Sequence, residues 1–309
     1  MSSTSRDQQA SSAEVAAKHP LRAITAMILA TVAFTLGDAA MKLVAGSVPT
    51  GQAVFLRCAG SAMMVSLAAW HLGVITSARR VLVPLMAWRS AGDAGSALFF
   101  QAAVARMPFA DIVGILQLTP LSLTAASAIF LGAHVGWRRW CAVAAGLIGA
   151  LLVIKPGTSA FNVWAIFAVG TVLCGTLRDI TTRRLDGTIS PLVIMMLSQA
   201  VVALVALGLA TFETWAWPTL AEALLIVFSA ALTLAGHLWV IASIRGGDIA
   251  TVAPFRYAGI LWAILIGVLV WGELPDATSA AGIAILIAAG IYTFQRERRA
   301  RLRETMPER

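Results

Sequence analysis

The chain is 309 residues long, 59% hydrophobic and only 12% charged, with a mean hydropathy of +0.83. Soluble chains carry roughly 25% charged residues, so a water-soluble globular fold is excluded. The net charge of +8 and pI near 10.4 would suit a polyanion, but the basic residues flank apolar runs, where they set topology and meet anionic lipid; no nucleic-acid partner is expected.

Residues 1–22 are Ser- and Ala-rich without apolar periodicity and are expected to form a disordered cytoplasmic tail. The first apolar run is longer than the roughly 7–15 residues of a signal peptide and contains Asp38 and Lys42. Ten runs follow one another, at 23–45, 50–73, 90–107, 109–132, 137–155, 161–185, 190–211, 220–244, 249–271 and 277–295. Each matches the need for about 20 apolar helical residues to cross a hydrocarbon core of about 30 Å. The runs are continuous rather than alternating, which selects helices over a barrel. Their connections are short, and a basic cytoplasmic tail, 296–309, closes the chain.

Orientation follows from Lys and Arg. With both termini inside, seventeen basic residues fall on the cytoplasmic side, including Arg79, Arg80, Arg138, Arg139, Arg183 and Arg184, against Arg106 and Lys155 outside. Twenty Arg against three Lys, with abundant Ala, fits a bacterium of high genomic G+C content, which makes the inner membrane the expected location. Cys58, Cys141 and Cys174 lie far apart within spans and read as small buried hydrophobes. No phosphate loop, paired-histidine metal site or Gly-x-Ser-x-Gly elbow is present, so no cofactor, metal or catalytic residue is expected and energy must come from a gradient or exchange.

A shift of 140 residues lays Ala102 on Ala242, Ala110 on Ala250, Leu121 on Leu261 and Gly132 on Gly272, superposing spans four and nine. Five spans is an odd number, so the repeats must insert in opposite senses, the inverted architecture common in secondary transporters. The expected fold is all-α: ten transmembrane helices as two inverted five-helix repeats, 23–156 and 161–295, with both termini cytoplasmic.

From Arg22 to Arg299 the chain resembles the drug/metabolite transporter superfamily, specifically its EamA-type carriers. The phrases that carry this are Gly37-Asp38-Ala39-Ala40-Met41-Lys42, Phe55-Leu56-Arg57, Leu118-Thr119-Pro120-Leu121, Ala253-Pro254-Phe255-Arg256-Tyr257 and Trp271-Gly272-Glu273-Leu274-Pro275-Asp276. The family's first Gly-Glu is Gly132-Ala133 here, so that glutamate's role is absent. The Asp-x-x-x-Lys and Pro-Phe-x-Tyr phrases are most similar to the branch of S-adenosylmethionine and riboflavin uptake carriers. The resemblance implies a secondary carrier for a small polar metabolite; the competing reading is a polytopic enzyme acting on lipid-linked substrates. The expected partners are a small-molecule solute and the lipid bilayer, with a homodimer left open.

Ionisable groups within lipid are costly and call for a partner or a wet cavity. Asp38 and Lys42 share one face of the first helix, and Arg57 falls at a similar depth in the second, so the three are expected to form one cluster in the outer half. It reads either as an interhelical staple or as an outer gate. Glu273, at the outer interface, reads as a hydrated carboxylate or a further gate charge. Arg256, about 11 Å into the ninth helix, follows the helix-distorting Pro254 with Tyr257 beside it. Gln101, Gln117 and Gln199 fall near mid-depth. These six are the candidate solute-binding residues, the alternative for each Gln being interhelical hydrogen bonding. His237 reads as a hydrogen-bonding core residue, and Trp215, Trp217, Trp239, Trp262 and Trp271 as interfacial anchors or cavity wall.

Overall fold

The computed structural model describes residues 20–74, 84–132, 136–185, 189–246 and 252–305, and all regular structure among them is helical. In chain order the elements are α1 (Pro20–Val44), α2 (Thr50–His71), α3 (Pro84–Val104), α4 (Phe109–Leu116), α5 (Thr119–Leu131), α6 (Trp137–Ile154), α7 (Ala165–Arg183), α8 (Pro191–Ala210), α9 (Leu220–Gly246), α10 (Ala258–Ile266) and α11 (Ala277–Thr305). A 3₁₀ turn, Ala253–Tyr257, precedes α10, and a π turn, Gly267–Trp271, follows it. Nine helical segments among the described residues are long and apolar enough to cross a membrane; α3, which carries Arg89 and Asp93, is not one of the nine. The expected N-terminal tail up to residue 19, Arg79, Arg80, Ala133 and the chain end after Thr305 lie outside the described residues.

Four boundaries differ from expectation. The first helix starts at Pro20, so residues 20–22, expected in the disordered tail, are helical. The third helix starts at Pro84, six residues before the apolar run, because proline is well suited to a first helical turn. The sixth span starts at Ala165 after a turn in which Asn162 Oδ1 accepts the Trp164 N–H at 3.0 Å. The last helix runs on through the basic tail to Thr305, whose Arg- and Glu-rich sequence has high helix propensity.

The fourth and ninth spans are irregular. Between α4 and α5 the Gln117 and Leu118 N–H groups turn back to Gly114 and Ile115, tightening the turn. Pro120 then opens α5, where its missing donor does no harm. Both spans end on a left-handed glycine, Gly132 (φ 64°) and Gly272 (φ 67°), a conformation other residues adopt only with strain.

The largest apolar cluster surrounds α4: Phe109, Ile112 and Ile115 pack with Leu121, Ala150, Ala168, Ile260 and Leu286. The long helices pair α1 with α9, α3 with α7, α2 with α8 and α6 with α11. At the α6–α11 crossing the backbones touch: a Cβ on Gly149 would stand 2.7 Å from the Gly282 carbonyl oxygen. Small residues supply membrane helix contacts where no hydrophobic force drives them. Gly282→Leu is therefore expected to destabilise the protein by about 1–3 kcal/mol, the usual cost of overpacking, read as a lower melting temperature in detergent. An unchanged melting curve would contradict the close crossing.

Candidate functional site

The charges of α1 find partners on different helices. Asp38 faces Arg57 of α2 across a loose 3.7 Å, with 30% of the Asp38 side chain accessible. Lys42, one turn later on α1, does not join them, and the expected three-charge cluster is corrected to two separate pairs. Its ammonium sits 2.7 and 2.8 Å from the two carboxylate oxygens of Glu273 and donates to the Met107 carbonyl at 3.1 Å. It also lies 4.6 Å from the Trp271 ring centroid, within range of a cation–π attraction.

Glu273 is not simply a hydrated interfacial carboxylate. The left-handed turn at Gly272 brings it back over the bundle, and its Oε2 also accepts the N–H of Phe109 at 2.8 Å. Phe109 is the first residue of α4, so the carboxylate occupies a helix N-terminus, where unpaired N–H groups and the helix dipole favour an anion. One carboxylate thereby ties α1, α4 and the end of the ninth span together.

A second charged node was not anticipated from the sequence. Asp93 on α3 is its centre: Oδ1 is 3.4 Å from Arg178 Nη1 of α7, and Oδ2 accepts the Ser198 hydroxyl of α8 at 2.7 Å. Arg89, one turn before Asp93, stands 3.8 Å from Oδ2 and donates to Ser198 Oγ and to Thr182 Oγ1. Arg178 also donates through Nε to Asp179 at 2.8 Å. The signal was available: Asp93 and Asp179 are acids inside apolar runs. With the third span expected from residue 90, Arg89 falls just outside it, whereas the helix starts at Pro84 and includes it.

No hydrogen bond or ion pair among the described residues joins any two of the six residues expected to bind solute. Gln101 is 1% exposed; its amide donates to the Met41 carbonyl at 3.3 Å, tying α3 to α1, while its Oε1 has no partner among the described residues. Tyr257 is buried with its hydroxyl against Gly290 of α11. Pro254 lies in the 3₁₀ turn, where the expected distortion of the helix occurs. Arg256 is exposed and pairs with no described residue. Gln117 stands half-buried at the α4–α5 break and Gln199 half-buried beside Ser198. His237 acts as a core residue, its Nδ1 2.7 Å from the Thr233 carbonyl and its ring edge-on to Phe34 at 5.0 Å.

Other polar contacts fasten the helix ends. Glu213 accepts the N–H groups of Gly51 and Gln52 that open α2, and the Gln52 side chain pairs with the backbone of Ala216. Asp276 binds Lys155 and the Ser279 N–H at the start of α11, and these bonds, led by Lys155, hold its carboxyl below the usual carboxylate range.

No family model matches the sequence. Among curated proteins, the chain is 26% identical over 265 residues to a pseudopaline exporter of Pseudomonas aeruginosa, covering 85% of this chain and 93% of that protein. It is 26% identical over 198 residues to a riboflavin transporter of Rhizobium johnstonii, 64% of this chain and 66% of the relative. A Rickettsia felis S-adenosylmethionine uptake transporter is 26% identical over 186 residues, 60% of this chain and 63% of the relative. A solved crystal structure shares the fold, with a TM-score of 0.62 at 21% identity over 89% of this chain and 98% of its own. Over most of its length, then, the chain is related to bacterial membrane transporters, in keeping with its resemblance to EamA-type carriers of the drug/metabolite transporter superfamily.

Proposed function

We propose that the chain is a secondary transporter, moving a small polar organic metabolite across the bacterial inner membrane by alternating access. The observation that carries this reading is similarity along 85% of the chain to an exporter, joined over shorter stretches by two carriers of different solutes. Exporters and uptake carriers among the relatives fit a two-state cycle whose direction is set by gradients. The alternative, an enzyme acting on lipid-linked substrates, has no counterpart among these relatives. Solute flux into proteoliposomes tests the choice: an enzyme would alter lipid and move no solute.

The proposal includes two inverted five-helix halves, 23–156 and 161–295. Helix pairing supports it. Exchanging spans one to five with six to ten turns the α1–α9 pair into α7–α3, and α2–α9 into α8–α3, all of which occur. The α2–α8 and α6–α11 pairs map onto themselves, and α1 against α10 becomes α7 against α4 and α5. In this frame both termini are cytoplasmic, and the Lys42–Glu273 and Asp38–Arg57 pairs lie in the outer half. They act as an outer gate that must part for solute to pass. Arg256, Gln117 and Gln199 keep polar groups that no described residue engages and are offered to the solute; Gln101, Tyr257 and Pro254 shape the walls.

Topology is the first test of this frame. Reporter fusions after Gly46, Pro156 and Thr214 are expected to report the outer side, and fusions after Gly73 and Arg184 the cytoplasm. A cytoplasmic signal at any of the first three would break the inverted arrangement.

A further inference from the structure

The α6–α11 pair, whose backbones touch at Gly149 and Gly282, opens towards one end. The two helices are antiparallel: on one side of that contact Lys155, at the end of α6, binds Asp276, just before α11. On the other side, towards the start of α6 and the end of α11, a groove of about 560 Å³ lies between them. Ligand pockets usually measure about 300–1,000 Å³. The buried Ala142 and Ala289 form its floor, and Ala145 and Ala288 also line it. Small side chains thus leave an apolar slot that runs from Ala145 to Trp137, about 12 Å along the helix.

The mouth of the slot has a different chemistry. Trp137 and Tyr292 stand there, 70% and 41% exposed. Trp and Tyr are favoured at headgroup depth, so the slot reaches from that level into the hydrocarbon. Arg138 lies at the same mouth, its guanidinium 5.3 Å from the Trp137 ring centroid. Among the described residues, nothing forms an ion pair with Arg138 or a hydrogen bond with the Tyr292 hydroxyl. No acidic residue lines the groove. Arg139 donates to the Arg296 carbonyl at 3.5 Å, which sets the Arg-rich end of α11 beside the mouth; residues 296–303 hold five Arg and one Glu.

We propose that this groove binds one anionic phospholipid of the bilayer, with its phosphate on Arg138 and the Tyr292 hydroxyl and one acyl chain in the slot between α6 and α11. An apolar slot beneath a cation that no described acid neutralises fits an amphiphile with an anionic head. The guanidinium fork suits phosphate oxygens, and basic pockets between membrane helices recur as sites for anionic headgroups. A second copy of the chain fits less well. A two-fold interface sets one patch against itself, bringing Arg138 and the end of α11 onto their own copies with no acid in the groove to pair them. In the topology proposed above this end is cytoplasmic, so the lipid comes from that leaflet. The site does not depend on which solute is carried.

The test uses the full-length protein, stripped of co-purified lipid in mild detergent. It is titrated with phosphatidylglycerol and with phosphatidylcholine of the same acyl chains, and bound lipid is counted by native mass spectrometry. One phosphatidylglycerol is expected to bind about tenfold more tightly than phosphatidylcholine, the scale of one hydrogen bond to a charged group. It is also expected to shield the exposed Cys141 thiol of the groove from maleimide, while the half-buried Cys174 of α7 reacts as before. Arg138→Gln should remove the preference between the lipids, and Arg138→Lys should keep part of it. Ala288→Trp fills the slot from an exposed position and should weaken binding of both lipids. Melting temperature and monodispersity establish that each variant is folded. Equal affinity for the two lipids, or none for either, overturns the site. So does an unshielded Cys141, or a folded Arg138→Gln or Ala288→Trp protein that binds phosphatidylglycerol as the unmodified protein does. Lipid-free pairs of chains that Ala288→Trp separates would assign the groove to a second copy and overturn the lipid site as well.

Discussion

Replacing Glu273 with Ala is expected to destabilise the protein by about 2–4 kcal/mol, somewhat below the cost of stripping one partner from a fully buried ion pair because Glu273 is only partly buried. Lys42 would keep the Met107 carbonyl and the rings of Trp271 and Phe109, and the first N–H of α4 would lose its acceptor. Lys42→Ala should have a large effect for the same reason, and the Lys42→Ala/Glu273→Ala double variant should cost much less than the sum of the two. Reversing the pair, Lys42→Glu with Glu273→Lys, should restore only part of the loss, since a lysine at 273 cannot accept the Phe109 N–H. Chemical unfolding in detergent measures all four proteins. Additive losses would mean that the two side chains do not act together.

The second large effect belongs to Asp93. Its carboxylate serves Arg178, Arg89 and Ser198 from three different helices, and Asp93→Ala leaves two guanidiniums in the bundle without that countercharge. A loss of about 3–5 kcal/mol is expected, enough to remove much of a typical stability of about 5–15 kcal/mol. Asp179→Ala should cost clearly less, because Asp179 pairs only with the adjacent Arg178 and is more accessible. Adding Arg89→Leu to Asp93→Ala should recover part of the stability by removing one stranded charge. The monodisperse fraction and melting temperature of each purified variant report the order. Equal losses from Asp93→Ala and Asp179→Ala would contradict the central place given to Asp93.

The helices were legible because hydropathy over about 20 residues is a local property, and every expected span has a helical counterpart among the described residues. Their partners were not. Lys42 and Glu273 stand 231 residues apart, and Asp93 and Arg178 stand 85 apart, so no local pattern links them. Depth alone suggested that Asp38, Lys42 and Arg57 would gather. Depth does not say which way each side chain faces, and one helical turn was enough to send Lys42 to another partner. Tyr257 shows the same limit from the other direction: its neighbour Arg256 is exposed, while its own ring turns inward onto Gly290. The proline at 254 correctly marked a distorted helix, but the break at Gln117–Leu118 was missed because Pro120 opens a helix of its own.

The most direct measurement of the central claim is solute flux. Proteoliposomes containing the purified protein are incubated with a defined mixture of polar metabolites beside empty liposomes and liposomes holding a folded Asp38→Asn variant, and lumenal contents are read by mass spectrometry. A carrier working by alternating access should accumulate at least one small polar solute saturably and should exchange it against the same solute preloaded inside. Lumenal contents indistinguishable from those of empty liposomes, or chemically altered lipid without any solute movement, would contradict a transporter.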